Sequence, residues 1–176
     1  MKRKLKNNLD SLLALIFVVF SLTNAIGQEK SKQQLKEESK LEKQKQTGLL
    51  VDSKEFVFLA RTVLPHGGST INLTTDDSTI EFRVDLIKSD LPFFGRAYSG
   101  VAYGGDNGMK FEGKPRNFTL EKTKKAYVIK MEVKGERDYL SILLSVYFDG
   151  SAYLSISSNN RSSISYNGDV KALQKK

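Results

Sequence analysis

Between Ile142 and Ile156 the apolar residues fall on every second position around an Asp-Gly pair: Ile142, Leu144 and Val146 before Asp149-Gly150, then Ala152, Leu154 and Ile156 after it. A period of two places one set of side chains on one face of a strand, so the segment is expected to be a hairpin with one buried face. Its loop length follows from matching the two arms. A two-residue Asp-Gly loop opposes Val146 to Tyr153 and Leu144 to Ser155, mixing apolar with polar. A three-residue loop, Phe148-Asp149-Gly150, with Gly150 left-handed in a type I turn with a bulge, opposes Val146 to Ala152, Leu144 to Leu154 and Ile142 to Ile156. A slip of one residue turns the whole apolar set outward, so the longer loop is expected.

The same period recurs through much of the chain. Ile80-Glu81-Phe82-Arg83-Val84-Asp85-Leu86 alternates strictly and reads as one half-buried strand, as do Phe56 to Ala60, Ile71-Asn72-Leu73 and Tyr127 to Val133. Asn117 to Val133 reads as a hairpin, with Phe118 and Leu120 on one arm, Ile129 and Met131 on the other, and Lys122-Thr123-Lys124-Lys125 as its turn. These segments amount to about eight to ten short strands in one all-β, mainly antiparallel domain, a sandwich or a flattened barrel. Alternation alone does not choose between the two. No internal repeat accompanies it.

The ends have a different character. Lys2, Arg3, Lys4 and Lys6, the apolar run from Leu12 to Leu22, and the small residues Ala25 and Gly27 follow the order of a secretory signal peptide, with cleavage expected after Gly27. The apolar run is shorter than the roughly 20 residues of a spanning helix, so no stable membrane span is expected after cleavage. Residues 28–52 read as a charged flexible tether. From Gln28 to Gln46 there are six lysines, four glutamates and only Leu35 and Leu41 as apolar residues, and Lys32, Lys36 and Lys40 repeat a like charge every four residues. The β domain is expected over 53–170 and a basic tail over 171–176. Removing residues 1–27 removes four basic residues and Asp10, lowering the formal net charge from +8 to +5.

With no cysteine there is neither a disulfide nor a thiolate metal site nor a thioether lipid anchor, and the expected location is periplasmic or secreted. A positive charge carried largely on the ends favours loose attraction to anionic surfaces. It does not read as a nucleic-acid footprint, because no basic face interleaved with stacking aromatics is present.

The inventory for catalysis is short. His66 is the only histidine, in the turn-like Pro65-His66-Gly67-Gly68. The carboxylates Asp76, Asp77, Asp85, Asp90, Asp106 and Glu112 lack a spacing that converges them, and Gly105-Asp106-Asn107-Gly108 lacks the alternate acids of a calcium loop. No catalytic, cofactor-binding or metal-binding residue is therefore assigned, and no cofactor is expected. A hydrolase using carboxylates or His66 is the alternative reading, and a scaffold pairing through a sheet edge is a third. The candidate contact surface is Phe93, Phe94, Arg96, Tyr98 and Tyr103, aromatics and an arginine among glycines, which can stack on sugar faces or grip an apolar ligand. Asn160, Arg161 and Tyr166 join it from a second polar bend, where Arg161 can bind an anion or staple loop carbonyls. Asp77-Ser78-Thr79 matches a short bacterial O-glycosylation pattern, making Ser78 a candidate acceptor.

Several landmarks occur in one order: Lys54-Glu55-Phe56-Val57-Phe58-Leu59-Ala60, Pro65 with Gly67-Gly68, Leu91-Pro92-Phe93-Phe94-Gly95-Arg96-Ala97-Tyr98, Met109-Lys110-Phe111, and the close from Asn159-Asn160-Arg161-Ser162-Ser163-Ile164-Ser165-Tyr166 to Asn167-Gly168. Together, over Ser53 to Val170, they resemble the domain of unknown function 4251 family, small exported proteins of Bacteroidetes-type Gram-negative bacteria. The family's block more often has tyrosine where Phe93 stands, so a hydroxyl is missing here. The resemblance implies an exported β-rich domain and brings no catalytic residues. The resulting expectation is an exported, non-catalytic binding or envelope-associated module whose partner is a glycan or another envelope component.

Overall fold

The computed structural model describes residues 31–74, 77–96, 98, 108–135 and 138–173. The chain divides into two compact units, Met1–Glu42 and Lys43–Lys176. In the first, residues 31–42 are helical and almost wholly solvent-facing. The second holds the continuation of that helix, α1 (residues 31–53), and ten strands.

The strands are β1 (Phe56–Pro65), β2 (Ile71–Asn72), β3 (Thr79–Phe82), β4 (Ile87–Leu91), β5 (Met109–Gly113), β6 (Pro115–Lys122), β7 (Ala126–Lys134), β8 (Tyr139–Tyr147), β9 (Ser151–Ser158) and β10 (Ile164–Ala172). They form one antiparallel sheet in the order β5-β4-β3-β1-β10-β9-β8-β7-β6, with β2 paired to β1 beside β3. Its two outermost strands, β5 and β6, are consecutive in sequence and separated by Lys114 alone. A single residue cannot cross the width of an open sheet, since strands stand about 4.8 Å apart. The sheet therefore curls until its edges meet, giving a nearly closed barrel and deciding the choice that alternation left open. At the corner a Cβ on Gly113 would lie 2.6 Å from the Lys134 carbonyl, so only glycine fits there.

Alternation along the strands fills the interior. Phe58, Ile80, Ile129, Ile142, Leu144, Leu154, Ile156 and Tyr166 are all fully buried and form one cluster. The β8–β9 register is the one expected, with Ile142 opposite Ile156, Leu144 opposite Leu154 and Val146 opposite Ala152, and Gly150 is left-handed at φ 92°. β1 changes parity midway. Phe56, Phe58 and Ala60 point inward before a bulge at Arg61, and Val63 and Pro65 point inward after it. An extra residue in one strand has this effect and also bends the strand.

Three expectations need correction. Ile80 to Leu86 is not one strand: the chain reverses at Val84-Asp85, with Arg83 N–H donating to the Leu86 carbonyl at 2.9 Å and Phe82 opposite Ile87. Val84 continues the apolar rhythm only by chance and is 61% exposed at the tip. Residues 43–52 are not part of a tether. They are helical, Val51 is fully buried in the core, and the Thr47 hydroxyl donates to the Phe148 carbonyl at 3.3 Å. From Lys32 to Gln46 every residue but Ser39 is Leu, Lys, Gln or Glu, all strong helix formers, and this outweighs the like-charge spacing once Val51 anchors the end. The β domain also runs to Ala172, two residues into the expected basic tail.

Candidate functional site

Strand direction sorts the loops between two ends of the barrel. One end holds the C-terminal turns of α1 and the turns after β3, β6 and β8. The other holds the segments after β1, β4, β7 and β9, which include both stretches expected to form the contact surface.

The chain leaves β4 at Leu91, which is buried. The Pro92 carbonyl then accepts a hydrogen bond from the Tyr166 hydroxyl at 2.8 Å. The Phe93 ring lies under the Arg161 guanidinium, 5.5 Å from its centroid. Beyond it the backbone pairs with the other bend: Arg96 N–H donates to Ser162 Oγ at 2.9 Å, Ser162 N–H to the Arg96 carbonyl at 2.9 Å, and Tyr98 N–H to the Asn160 carbonyl at 2.8 Å. The partners run 96 with 162 and 98 with 160, a short antiparallel ladder outside the main sheet. Gly95 permits this closeness, because a Cβ there would stand 2.3 Å from Ser162 Oγ and 2.5 Å from Phe93 Cζ.

The second bend is itself fixed. Ser158 Oγ accepts from the amides of Asn160 and Arg161 at 3.0 and 3.1 Å and donates to Asp138 Oδ2. Arg161 reaches the same carboxylate oxygen at 3.9 Å through Nε and the Gly108 carbonyl at 2.8 Å through a terminal nitrogen. Thus Arg161 staples the 92–108 loop at both ends, through the Phe93 ring and through Gly108. Its side chain is 20% exposed, which leaves little of it for a ligand.

The candidate residues therefore separate by role. Phe94 and Tyr98 are 50% and 68% exposed, and Arg96 is exposed between them. Phe93, Asn160 and Arg161 make the frame that holds those three. Tyr166 is fully buried; burial raises its phenol well above the ordinary range, with the nearby Arg161 charge opposing this, and it reaches the surface only through the carbonyl it holds. Tyr103 and the cleavage position Gly27 lie outside the described residues. Ser78 is only 7% exposed and its carbonyl accepts from Ala60 N–H, so a modifying enzyme reaches it only after local opening. Asp138, Ser158 and Ser162 carry the frame and were not singled out from sequence, since their partners are tertiary.

The groups of the enzyme reading are dispersed. His66 sits in an exposed turn closed by Gly68 N–H to the Pro65 carbonyl at 3.0 Å, with Gly67 left-handed. It shares a shallow groove with Ser163 and Ser165 without a hydrogen bond to either. Asp77 and Asp90 line one groove beside Phe93 and Lys110, and Asp90 pairs with Lys110 at 3.4 Å in solvent. Among the described residues no three histidine or carboxylate side chains gather as a metal site.

Comparison with curated proteins gave no match. Among solved structures, the fold is similar to the crystal structure of a DUF4251 family protein from Bacteroides eggerthii DSM 20697, with a TM-score of 0.57 and 16% sequence identity over 74% of this chain and 87% of the other. The family model for a domain of unknown function, DUF4251, matches residues 38–170, which take in the barrel, its interlocked loops and the packed end of α1: the chain belongs to the DUF4251 family.

Proposed function

We propose that the protein is an exported, non-catalytic binding module that meets a glycan or other envelope component through Phe94, Arg96 and Tyr98. One observation carries this reading: two large aromatic side chains stand half or more exposed on a segment whose backbone is hydrogen-bonded to a second loop at Arg96, between them, and at Tyr98 itself. Exposing such rings costs solvation, and fixing them in advance lowers the entropy lost when a ligand stacks on them. The export expectation rests on the amino-terminal sequence.

The test is retention on insoluble envelope polysaccharide, comparing the chain with its Phe94→Ala/Tyr98→Ala form. Stacking of two rings is worth about 1–3 kcal/mol in total, so affinity should fall about 5- to 150-fold while the melting temperature holds. Equal retention of both forms overturns the reading.

A hydrolase remains the second reading, for the specific reason that Asp77 and Asp90 line one groove. The Asp90–Lys110 ion pair in solvent suits a surface carboxylate better than an acid held protonated in an apolar pocket. Turnover of a glycan substrate that disappears in Asp77→Asn and Asp90→Asn would establish it.

A further inference from the structure

At the end of the barrel remote from Phe94 and Tyr98, the seam between β3–β4 and β6–β7 leaves a cavity of about 120 Å³. Phe56, Phe82, Ile87, Phe118 and Met131 supply its apolar wall, and Lys54 and Arg83 supply its only charges. An apolar cavity of roughly 150 Å³ takes up benzene, so this one suits a chain of about five carbons.

The backbone points to the same place. The two non-glycine residues with positive φ among the described residues are Lys54 at 57° and Asn117 at 52°, and both flank this seam, Asn117 as the neighbour of Phe118. Asparagine visits this region readily, but lysine does not. Lys54 ends α1, its N–H donating to the Val51 carbonyl at 3.1 Å, where glycine is the usual residue. Holding a lysine there puts its ammonium 4.6 Å from the centre of the Phe118 ring, at the cavity edge. Arg83 is occupied by Glu81 at 3.0 Å, whereas Lys54 has no carboxylate partner among the described residues. Strained residues persist where surrounding structure over-determines them, often at ligand clamps.

We infer that the seam cavity binds a short-chain monocarboxylate, with the tail among Phe56, Phe82, Ile87 and Met131 and the carboxylate at Lys54. This site is independent of the Phe94–Tyr98 surface, and either can fail without the other.

Hexanoate is the probe, titrated into the full chain labelled at methionine methyl groups and followed by NMR. The Met131 methyl lines the cavity, while the Met109 methyl is buried where β5 begins at the opposite end, so the first should shift saturably and the second should stay. Hexan-1-ol, the uncharged counterpart, should bind about fivefold more weakly, the upper range for an exposed charge pair. Lys54→Gly and Lys54→Asn relieve the backbone and remove the charge. Both should melt no lower than the parent and bind hexanoate about fivefold more weakly, at the level of hexan-1-ol. Absence of a saturable Met131 shift, or shifts of both methyls together, overturns the site. Equal binding of acid and alcohol, unchanged in the Lys54 variants, overturns the carboxylate.

Discussion

Gly168 sits opposite the β1 bulge at a separation that no side chain tolerates. A Cβ there would lie 2.0 Å from the Leu59 carbonyl oxygen and 3.0 Å from Ala60 Cα, both backbone atoms that cannot swing aside. Gly168→Ala is therefore expected to cost about 3 kcal/mol, the upper end of overpacking, read as a lowered urea midpoint. Tyr166→Phe leaves the Pro92 carbonyl without its donor and should cost about 1–2 kcal/mol. Asp149 accepts from the Ser151 hydroxyl at 2.7 Å and the Ser151 amide at 3.0 Å, and these bonds hold its carboxyl below the usual 3.8. A depressed acid stabilises the fold fully above its unfolded value and loses that contribution as pH falls through the folded one. Melting the parent and Asp149→Ala at neutral pH and near pH 2 should show a gap under about 1 kcal/mol, given the solvent exposure, that narrows in acid. Gly150 was legible in the sequence because its turn is local. Gly168 was not, since the atoms that forbid a side chain belong to a strand more than a hundred residues away.

Among the elements, the hairpin β8–β9 was fully readable, because both arms and the loop lie within one short window and only one register keeps the faces apart. The hairpin β3–β4 was not. Its tight turn carries Val84, which extends the alternation through the reversal, and Ser89 occupies an inward position in β4 where a pattern reader expects an apolar residue. Ser89 is tolerated because its hydroxyl donates to the Met109 carbonyl at 2.7 Å, a partner invisible in sequence. Helix α1 was obscured differently: Thr47, Gly48 and Val51 share one buried face, yet three positions beside a run of charges give a weak period. Since Val51 is fully buried, Val51→Asp should cost at least about 3 kcal/mol, whereas Leu41→Asp, at a position 66% exposed, should leave the thermal midpoint nearly unchanged.

Across the whole molecule, one linking residue between the two outermost strands closes the sheet, and closure gives the barrel two ends that are built differently. At one end α1 supplies apolar cover; at the other, segments 92–98 and 158–162 lock together and leave Phe94 and Tyr98 in solvent. The sequence marked both segments by their glycines, aromatics and arginines. It could not show that Arg161 and Asn160 serve as the frame while Phe94 and Tyr98 make the face, because that division depends on which backbone groups meet across the fold. A pre-ordered face is the centre of this account, and native-state amide hydrogen exchange of the full chain tests it most directly. The amides of Arg96, Tyr98 and Ser162 should exchange at least about a hundredfold more slowly than free peptide, and Arg161→Met should abolish that protection while β8 and β9 keep theirs. Exchange of these three amides at free-peptide rates in the parent chain would contradict it.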